Sequence, residues 1–385
     1  MRILLVGEFS RLHNSLKEGL VALGHEVTLV GSGDDFKDFP VDFSIASRTV
    51  ESSGSLRFLS RISNKLFGIR LETIEKGRRF ERLLPKLKNY DIVQLINSDA
   101  IETTPEFEIE LYRKLFSQNK KIFLLICGDE TPVVDQLLKN KLRYSVLTPY
   151  FEDKNLEPFY RYTLKYTSDK HRELYDFVSK KADALFTSDL DYKLVMDEAG
   201  IKTTLIPNPV NVDKITFETL PSDGPTVIFY GANKYSSVKK GGKFFEKALE
   251  IIKQKYGADV RIETVNSLPY SEYIEHVKKA HIVLDQVYAF DQGYNALEAM
   301  ARGKVVFTGA ESEFQEHYKL SGTVAINALP NVDWIVSELS RLIENRKMLV
   351  EIGKNARRFI EKEHDYKAIA SRYLEHWNND QSSAL

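Results

Sequence analysis

The stretch MRILLVGEFSRLHNSLKEGLVALGHEVTLVG, residues 1–31, carries the pattern that decides the fold. RILLVG is apolar enough for a buried parallel strand, NSLKEGLVALG places apolar residues at helical spacing, and HEVTLVG is strand-like again. Strand, helix and strand in so short a span predict a βαβ unit. Ser15 and Glu18 have the spacing of a capping box, and Gly24 reads as the helix stop. Glu8 interrupts the first apolar run before a signal-peptide core can form, so the run reads as a strand.

The alternation continues through DFSIAS, DIVQLIN, KIFLLICG, ADALFTS and KTTLIP, and predicts a largely parallel α/β domain over residues 1–207. Residues 208–224, rich in Pro, Asn and Asp, lack periodicity and read as a linker. The alternation restarts over 225–363 with TVIFYG, DVRIETV, HIVLDQV, KVVFTG and GTVAIN, and 364–385 is a closing helix expected to return to the first domain. The predicted fold class is α/β, with two doubly wound Rossmann-like domains facing each other across a cleft. Ligands in such sheets sit at the carboxyl ends of the strands. The loops GEFSRLHN, INSD, CGDETP, YGANKYSSVKKGG, TVNSLP and DQVYAFDQGYN are therefore expected to line that cleft.

With 385 residues the chain exceeds what one hydrophobic core usually serves. Its 43% hydrophobic and 28% charged residues are those of an ordinary globular protein, and a formal net charge of -1 gives no global attraction to nucleic acid. The lone Cys127 excludes a disulfide framework and fits a reducing, cytoplasmic compartment. No run approaches the ~20 apolar residues of a membrane span.

The first loop lacks G-x-G-x-x-G, and the chain has no G-x-x-x-x-G-K-[ST], H-E-x-x-H or G-x-S-x-G. Dehydrogenase, nucleotide hydrolase and common hydrolase readings lose their support. An arrangement suited to an anion remains. After the strand-ending Gly231 and Asn233, Lys239 and Lys240 precede Gly241 and Gly242, where backbone amides can approach a ligand; a solvated basic loop is the plainer alternative. In DQVYAFDQGYNALEAM, Asp285 closes a strand and Gly293, Tyr294 and Asn295 lead into a helix bearing Glu298. Free amides at such a helix start suit a phosphate, and a carboxylate one turn in suits ribose hydroxyls. Glu298 lies about 130° from the apolar face formed by Ala296, Leu297, Met300 and Ala301, so a solvated helix face with a Glu298–Arg302 pair is the other reading.

The order IPNPVN, FYGAN, KKGGKFFEKAL, VLDQ, GYNALEAMARGKVV and FIEKEHDYKAIASRYLEHW resembles the retaining glycosyltransferases of family 4, of the bacterial surface-polysaccharide type. The resemblance implies the GT-B fold, a nucleotide diphosphate sugar as donor, a glycan or lipid-linked hydroxyl acceptor, and no cofactor or metal. It implies that Lys240 contacts the diphosphate and Glu298 the ribose. The family's usual Arg after the strand-end glycine is Ala232 here, and its first acidic residue is Phe290, leaving Asp285 or Asp291 to replace it. Where many members have a His, the CGDETP loop offers Asp129 as a sugar contact, although Thr131 and Pro132 also fit a helix N-cap and first position. His13, at the end of the first loop, is a candidate to face the acceptor hydroxyl.

Two rival readings accompany this one. They are a nucleotide-sugar epimerase of the same fold and, given Ala232 and Phe290, an inactive sugar-nucleotide-binding protein. Between residues 57 and 88, ten Lys and Arg face three Glu, interleaved with Leu, Ile and Phe. That composition suits a helix lying on an anionic membrane surface at the inner face, or a solvated face whose apolar side packs on the sheet.

Overall fold

The computed structural model describes residues 1–34, 37–220, 223–232, 234–266, 268 and 270–379, without the side chains at 232, 234 and 235. Every predicted strand is present. The first sheet contains β1 (Arg2–Val6), β2 (Glu26–Gly31), β3 (Phe43–Ser44), β4 (Ile92–Leu95), β5 (Lys121–Ile126), β6 (Ala184–Thr187) and β7 (Thr204–Leu205), in the order β3-β2-β1-β4-β5-β6-β7. The second contains β8 (Thr226–Ala232), β9 (Val260–Asn266), β10 (Ile282–Leu284), β11 (Val305–Thr308) and β12 (Ile326–Asn327), in the order β12-β11-β10-β8-β9. All pairings are parallel, for example Leu4 with Thr28 and Val93, and Val283 with Phe229 and Val306. The strand order reverses beside β1 and beside β8, which opens a crevice at the carboxyl edge of each sheet.

Parallel strands covered on both faces must be apolar throughout. Ile3, Leu4, Leu5 and Val6 are all fully buried, as are Leu124, Leu125 and Ile126. Helix Tyr366–Asn378 crosses back and packs on helix Leu12–Ala22, and Ile369, Tyr373 and Trp377 join the core of the first sheet. Glycine is required at the crossing, because a Cβ on Gly19 would overlap the Tyr366 carbonyl oxygen and lie 2.9 Å from Ala370 Cβ. A bridge between Val210 and Asp365 ties the start of the segment after β7 to the start of the returning helix.

The first helix opens a turn earlier than its capping-box spacing suggests. Its amides are met from the preceding loop: Glu8 Oε2 accepts from Asn14 N at 2.8 Å and from Asn14 Nδ2 at 2.6 Å. Ser15 and Glu18 are thereby released for contacts with the second half of the chain, Ser15 Oγ lying 2.5 Å from the Tyr294 hydroxyl and Glu18 pairing with Lys214 Nζ at 2.7 Å. Gly24 does end the helix, at φ 85°. The helix after CGDETP runs Thr131–Leu138 with Glu130 as its cap, so Thr131 and Pro132 stand inside it, one position later than their types suggest.

Candidate active site

A cavity of about 550 Å³ lies between the carboxyl edges of the two sheets. The first sheet contributes Phe9 and Ser10 after β1, Asn97 after β4, Cys127 to Asp129 after β5, and Asp189, Asp191 and Tyr192 after β6. The second contributes Lys239 and the segment from Gln286 to Gly293. Five of the six loops expected in the cleft supply its wall, whereas the described residues of TVNSLP do not. Tyr144 from a loop, and Tyr162 and Tyr166 from helical segments, all between β5 and β6, complete an aromatic side with Tyr288 and Phe290. The β6 loop was missed, although the strand-end rule that found the others applies equally to SDLDY.

Glu298 is off the apolar face of its helix, Tyr294–Ala301, as the helical geometry requires, yet it is only 3% exposed. It is covered from two sides. Tyr270 donates its hydroxyl to the carboxylate, at 2.8 and 2.7 Å from the two oxygens, and Arg11 reaches across from the first half of the chain to 3.5 Å. Burial raises the Glu298 carboxyl above its ordinary value, opposed by the Tyr270 hydrogen bond and by Arg11. The solvated reading is therefore replaced by a buried, bridged carboxylate, and Arg302 pairs with Glu218 at 3.4 Å instead. Arg11 owes its direction to two successive left-handed residues, Ser10 at φ 52° and Arg11 at φ 71°. Such geometry at non-glycine residues costs on the order of 1 kcal/mol each and concentrates at functional loops.

The two lysines before Gly241 part company. Lys240 Nζ lies 2.7 Å from Asp285 Oδ1, whose other oxygen accepts from Thr308 Oγ1 at 3.2 Å. Lys240 is thus a paired cation rather than part of a solvated basic loop. Lys239 crosses to the first half of the chain, donating to Thr163 Oγ1 at 2.6 Å and standing 3.7 Å from Asp129. The glycines serve packing: Gly241 caps the helix Gly242–Tyr256 at φ 72°, and a Cβ there would lie 2.8 Å from Val287 Cβ. A Cβ on Gly242 would overlap Ser237 and the Tyr230 hydroxyl. Gly231 lies beneath the Tyr273 ring one residue before the end of β8, so the strand runs past the glycine expected to close it, and Asn233 lies outside the described residues.

Three further candidates fall elsewhere than expected. His13 is fully buried. Its Nδ1 must donate to the Gly7 carbonyl, 2.7 Å away, and Nε2 then accepts from Gln94 at 3.2 Å. Burial lowers its pKa to about 4, so it is a neutral structural imidazole turned away from any acceptor. Asp291 is also buried, accepting from Leu190 N at 3.0 Å and Gln292 N at 2.8 Å, while Asp191 accepts from Phe290 N and Asp291 N at 2.8 and 3.1 Å. The two aspartates exchange backbone bonds across the junction of the two halves, which makes them a clamp. Asn295 is exposed. Gly293 remains on the cavity wall, Asp129 joins it with an oxygen 2.5 Å from Thr163 Oγ1, and Tyr294 is buried on Ser15. Phe290 lies 5.5 Å from the Tyr144 ring with Arg143 5.0 Å above its own ring, so aromatic packing occupies its position.

Burial raises the Asp291 pKa to about 6, and burial with mutual repulsion also raises Asp189 and Asp191. A carboxyl raised in the folded state stabilises most when neutral. Its contribution is full below the unfolded value near 4 and is lost as pH climbs through the folded one. Asp291→Asn cannot ionise, so its stability relative to the parent should improve by about 1–2 kcal/mol between pH 4.5 and 7.5, measured by denaturant unfolding. An unchanged difference would mean that Asp291 is ionised in the folded protein across this range.

Residues 229–375 match the family described as glycosyl transferase-like. No curated protein matches the chain in sequence. Among similar solved structures is sucrose-phosphate synthase from Thermosynechococcus elongatus, 14% identical, with 98% of each chain covered and a TM-score of 0.62. Anabaena HepE in complex with UDP is 13% identical over 98% of this chain and 99% of that one, at 0.57. UDP-GlcNAc 2-epimerase from Neisseria meningitidis bound to UDP-GlcNAc is 14% identical over 98% and 99%, at 0.51. The molecule has the GT-B fold: two Rossmann-like parallel sheets that meet at a cleft. Within it, the second half is glycosyl transferase-like in sequence.

Proposed function

We propose that the protein transfers a glycosyl group from a nucleoside diphosphate sugar to a hydroxyl of a glycan or lipid-linked acceptor, with retention at the anomeric carbon. The observation that carries this reading is the glycosyl transferase-like match over residues 229–375, the segment that contains Lys240, Asp285 and Glu298. The ribose takes Glu298, displacing the Tyr270 hydroxyl and loosening Arg11. The diphosphate takes Lys240 and the first amides of helix Gly242–Tyr256, whose cap Gly241 offers them no side-chain acceptor. As the anomeric C–O bond breaks, its electron pair stays on the departing diphosphate, where the ammonium and amides meet the growing charge. These groups serve in place of a metal ion, and no essential cation or cofactor is proposed.

The acceptor and the transferred sugar occupy the cavity beside Asp129, whose tyrosine-rich wall suits the apolar faces of sugar rings. Asp285, beside Lys240, is the better replacement for the family's first acidic residue, since Asp291 is committed to backbone amides. Synthesis of a surface polysaccharide or glycolipid on the cytoplasmic side is the setting this chemistry fits.

Uridine nucleotides are the first probes, because HepE was solved with UDP and the Neisseria epimerase with UDP-GlcNAc. In a thermal-shift panel of uridine, guanosine and adenosine diphosphates, one base should raise the melting temperature, corresponding to about 2.7 kcal/mol at a hundredfold excess over the dissociation constant. No shift with any of them would count against a nucleotide site. The epimerase likeness supports a second reading, conversion of the donor without an acceptor, and chromatography of the sugar products separates the two.

A further inference from the structure

The helix Gly54–Phe67 is formed by ordinary means. The Ser53 side chain caps it by accepting from Leu56 N, and Gly68 closes it at φ 68°. Its burial is unusual. The one side chain of the helix that is fully covered is Ser60, while Phe58 is 61% exposed, Leu66 67% and Phe67 73%, with Leu59, Ile62 and the following Ile69 also exposed. Of the two readings of this stretch, packing of the apolar side on the sheet is the one the structure does not show, since that side faces outward. At 100° per residue, Phe58, Ile62, Leu66 and Leu59 span an arc of about 100°, Phe67, the last residue of the helix, is exposed about 80° beyond Leu59, and Lys65, Arg61 and Arg57 follow on the other flank. The helix touches its neighbours Arg48–Ser52 and Leu71–Leu83 through the opposite side.

On the cationic flank, between it and the start of helix Leu71–Leu83, is a groove of about 370 Å³ lined by Arg57, Arg61, Arg70, Ser60, Asn64 and Glu72. The carboxylate in it is engaged by the Ser60 hydroxyl, which also accepts from Leu71 N at 3.0 Å. Among the described residues, Arg57, Arg61, Lys65 and Arg70 enter no ion pair with a carboxylate. Three guanidinium groups in one exposed groove offer planar donors matched to phosphate oxygens.

We infer that the Gly54–Phe67 helix lies in the surface of an anionic lipid bilayer, with Phe58, Leu59, Ile62, Leu66 and Phe67 among the upper acyl chains and the Arg57–Arg61–Arg70 groove holding a lipid phosphate. Charge complementarity selects this occupant. A protein partner would need an acidic strip placed in register beside an apolar one, whereas an anionic leaflet presents both layers everywhere on its surface. No described helix is long and apolar enough to cross a membrane, so the attachment is to one leaflet. The helix belongs to the first half of the chain, so attachment brings the cleft to lipid-linked molecules. The inference stands independently of the glycosyl-transfer reading and is tested without catalysis.

The full chain is sedimented with vesicles of phosphatidylcholine alone or mixed with phosphatidylglycerol, at low and high salt. Binding should require phosphatidylglycerol, weaken with salt, and fall by about tenfold in Leu66→Ser/Phe67→Ser and in Arg57→Glu/Arg61→Glu, with melting temperatures unchanged because these side chains are exposed. Equal sedimentation of parent and variants, or no binding to phosphatidylglycerol vesicles, overturns the proposal. So does a dimer in analytical ultracentrifugation that Leu66→Ser/Phe67→Ser dissociates while vesicle binding is absent, since the face is then a contact between copies.

Discussion

Lys240→Ala should lower the rate of sugar transfer by about a hundredfold while weakening donor binding much less. The reason is timing. In the ground state the ammonium already has a partner, Asp285 at 2.7 Å, so the bound donor gains little by replacing one anion with another. As the sugar bond breaks, charge accumulates on the diphosphate and the ammonium gains there what it does not gain earlier. Lys240→Arg should restore part of the rate, since a planar fork does not reproduce a compact point charge. Removing Lys240 alone also leaves the buried Asp285 with Thr308 as its remaining side-chain partner, a cost of about 1–3 kcal/mol in stability. The double change Lys240→Ala/Asp285→Asn removes that cost, and Asp285→Asn alone is the reference against which the effect of Lys240 on the rate is read. Steady-state kinetics decide: normal turnover in Lys240→Ala transfers the diphosphate role to Lys239 on the cavity wall or to Lys234.

Glu298→Gln should weaken binding of the free nucleoside diphosphate by about 1.5–3 kcal/mol, read by titration calorimetry. The glutamine keeps the shape and one carbonyl acceptor but loses the charge proposed to hold both ribose hydroxyls. Its companion is Tyr270→Phe. The Tyr270 hydroxyl now lies within 2.8 Å of both oxygens that the ribose would use, so removing it should tighten nucleotide binding by several-fold, or about 1 kcal/mol. Opposite signs from two neighbouring residues are hard to produce by general destabilisation. An unchanged dissociation constant in Glu298→Gln would make the carboxylate a structural bridge between Tyr270 and Arg11.

The sheets were legible because their signal is local. Runs such as RILLV and KIFLLI are strands buried on both faces, and each is bounded by residues that stop it. The cleft was legible for the same reason, as strand ends define it. Side-chain environments were not, since they depend on segments far apart in sequence. Helical geometry placed Glu298 off its core face correctly, but nothing near it announces that Tyr270 and Arg11 will cover it. His13 faces inward because Gly7 turns its carbonyl to meet it, a fact of loop conformation that composition does not carry. Ser15 and Glu18 have the spacing of a capping box but serve the junction between the two halves, because Glu8 already caps the helix. The charge run between 57 and 88 was visible, whereas which way its apolar side faces was not.

Phosphorus and proton NMR of the protein incubated with nucleoside diphosphate sugars, with and without hydroxyl acceptors, addresses the central claim most directly. Transfer predicts growing signals of free nucleoside diphosphate and a new anomeric proton with the donor's configuration, both suppressed about a hundredfold in Lys240→Ala. A sugar nucleotide that is epimerised with its diphosphate bond intact, or one that binds and stays unchanged with every acceptor, would contradict it.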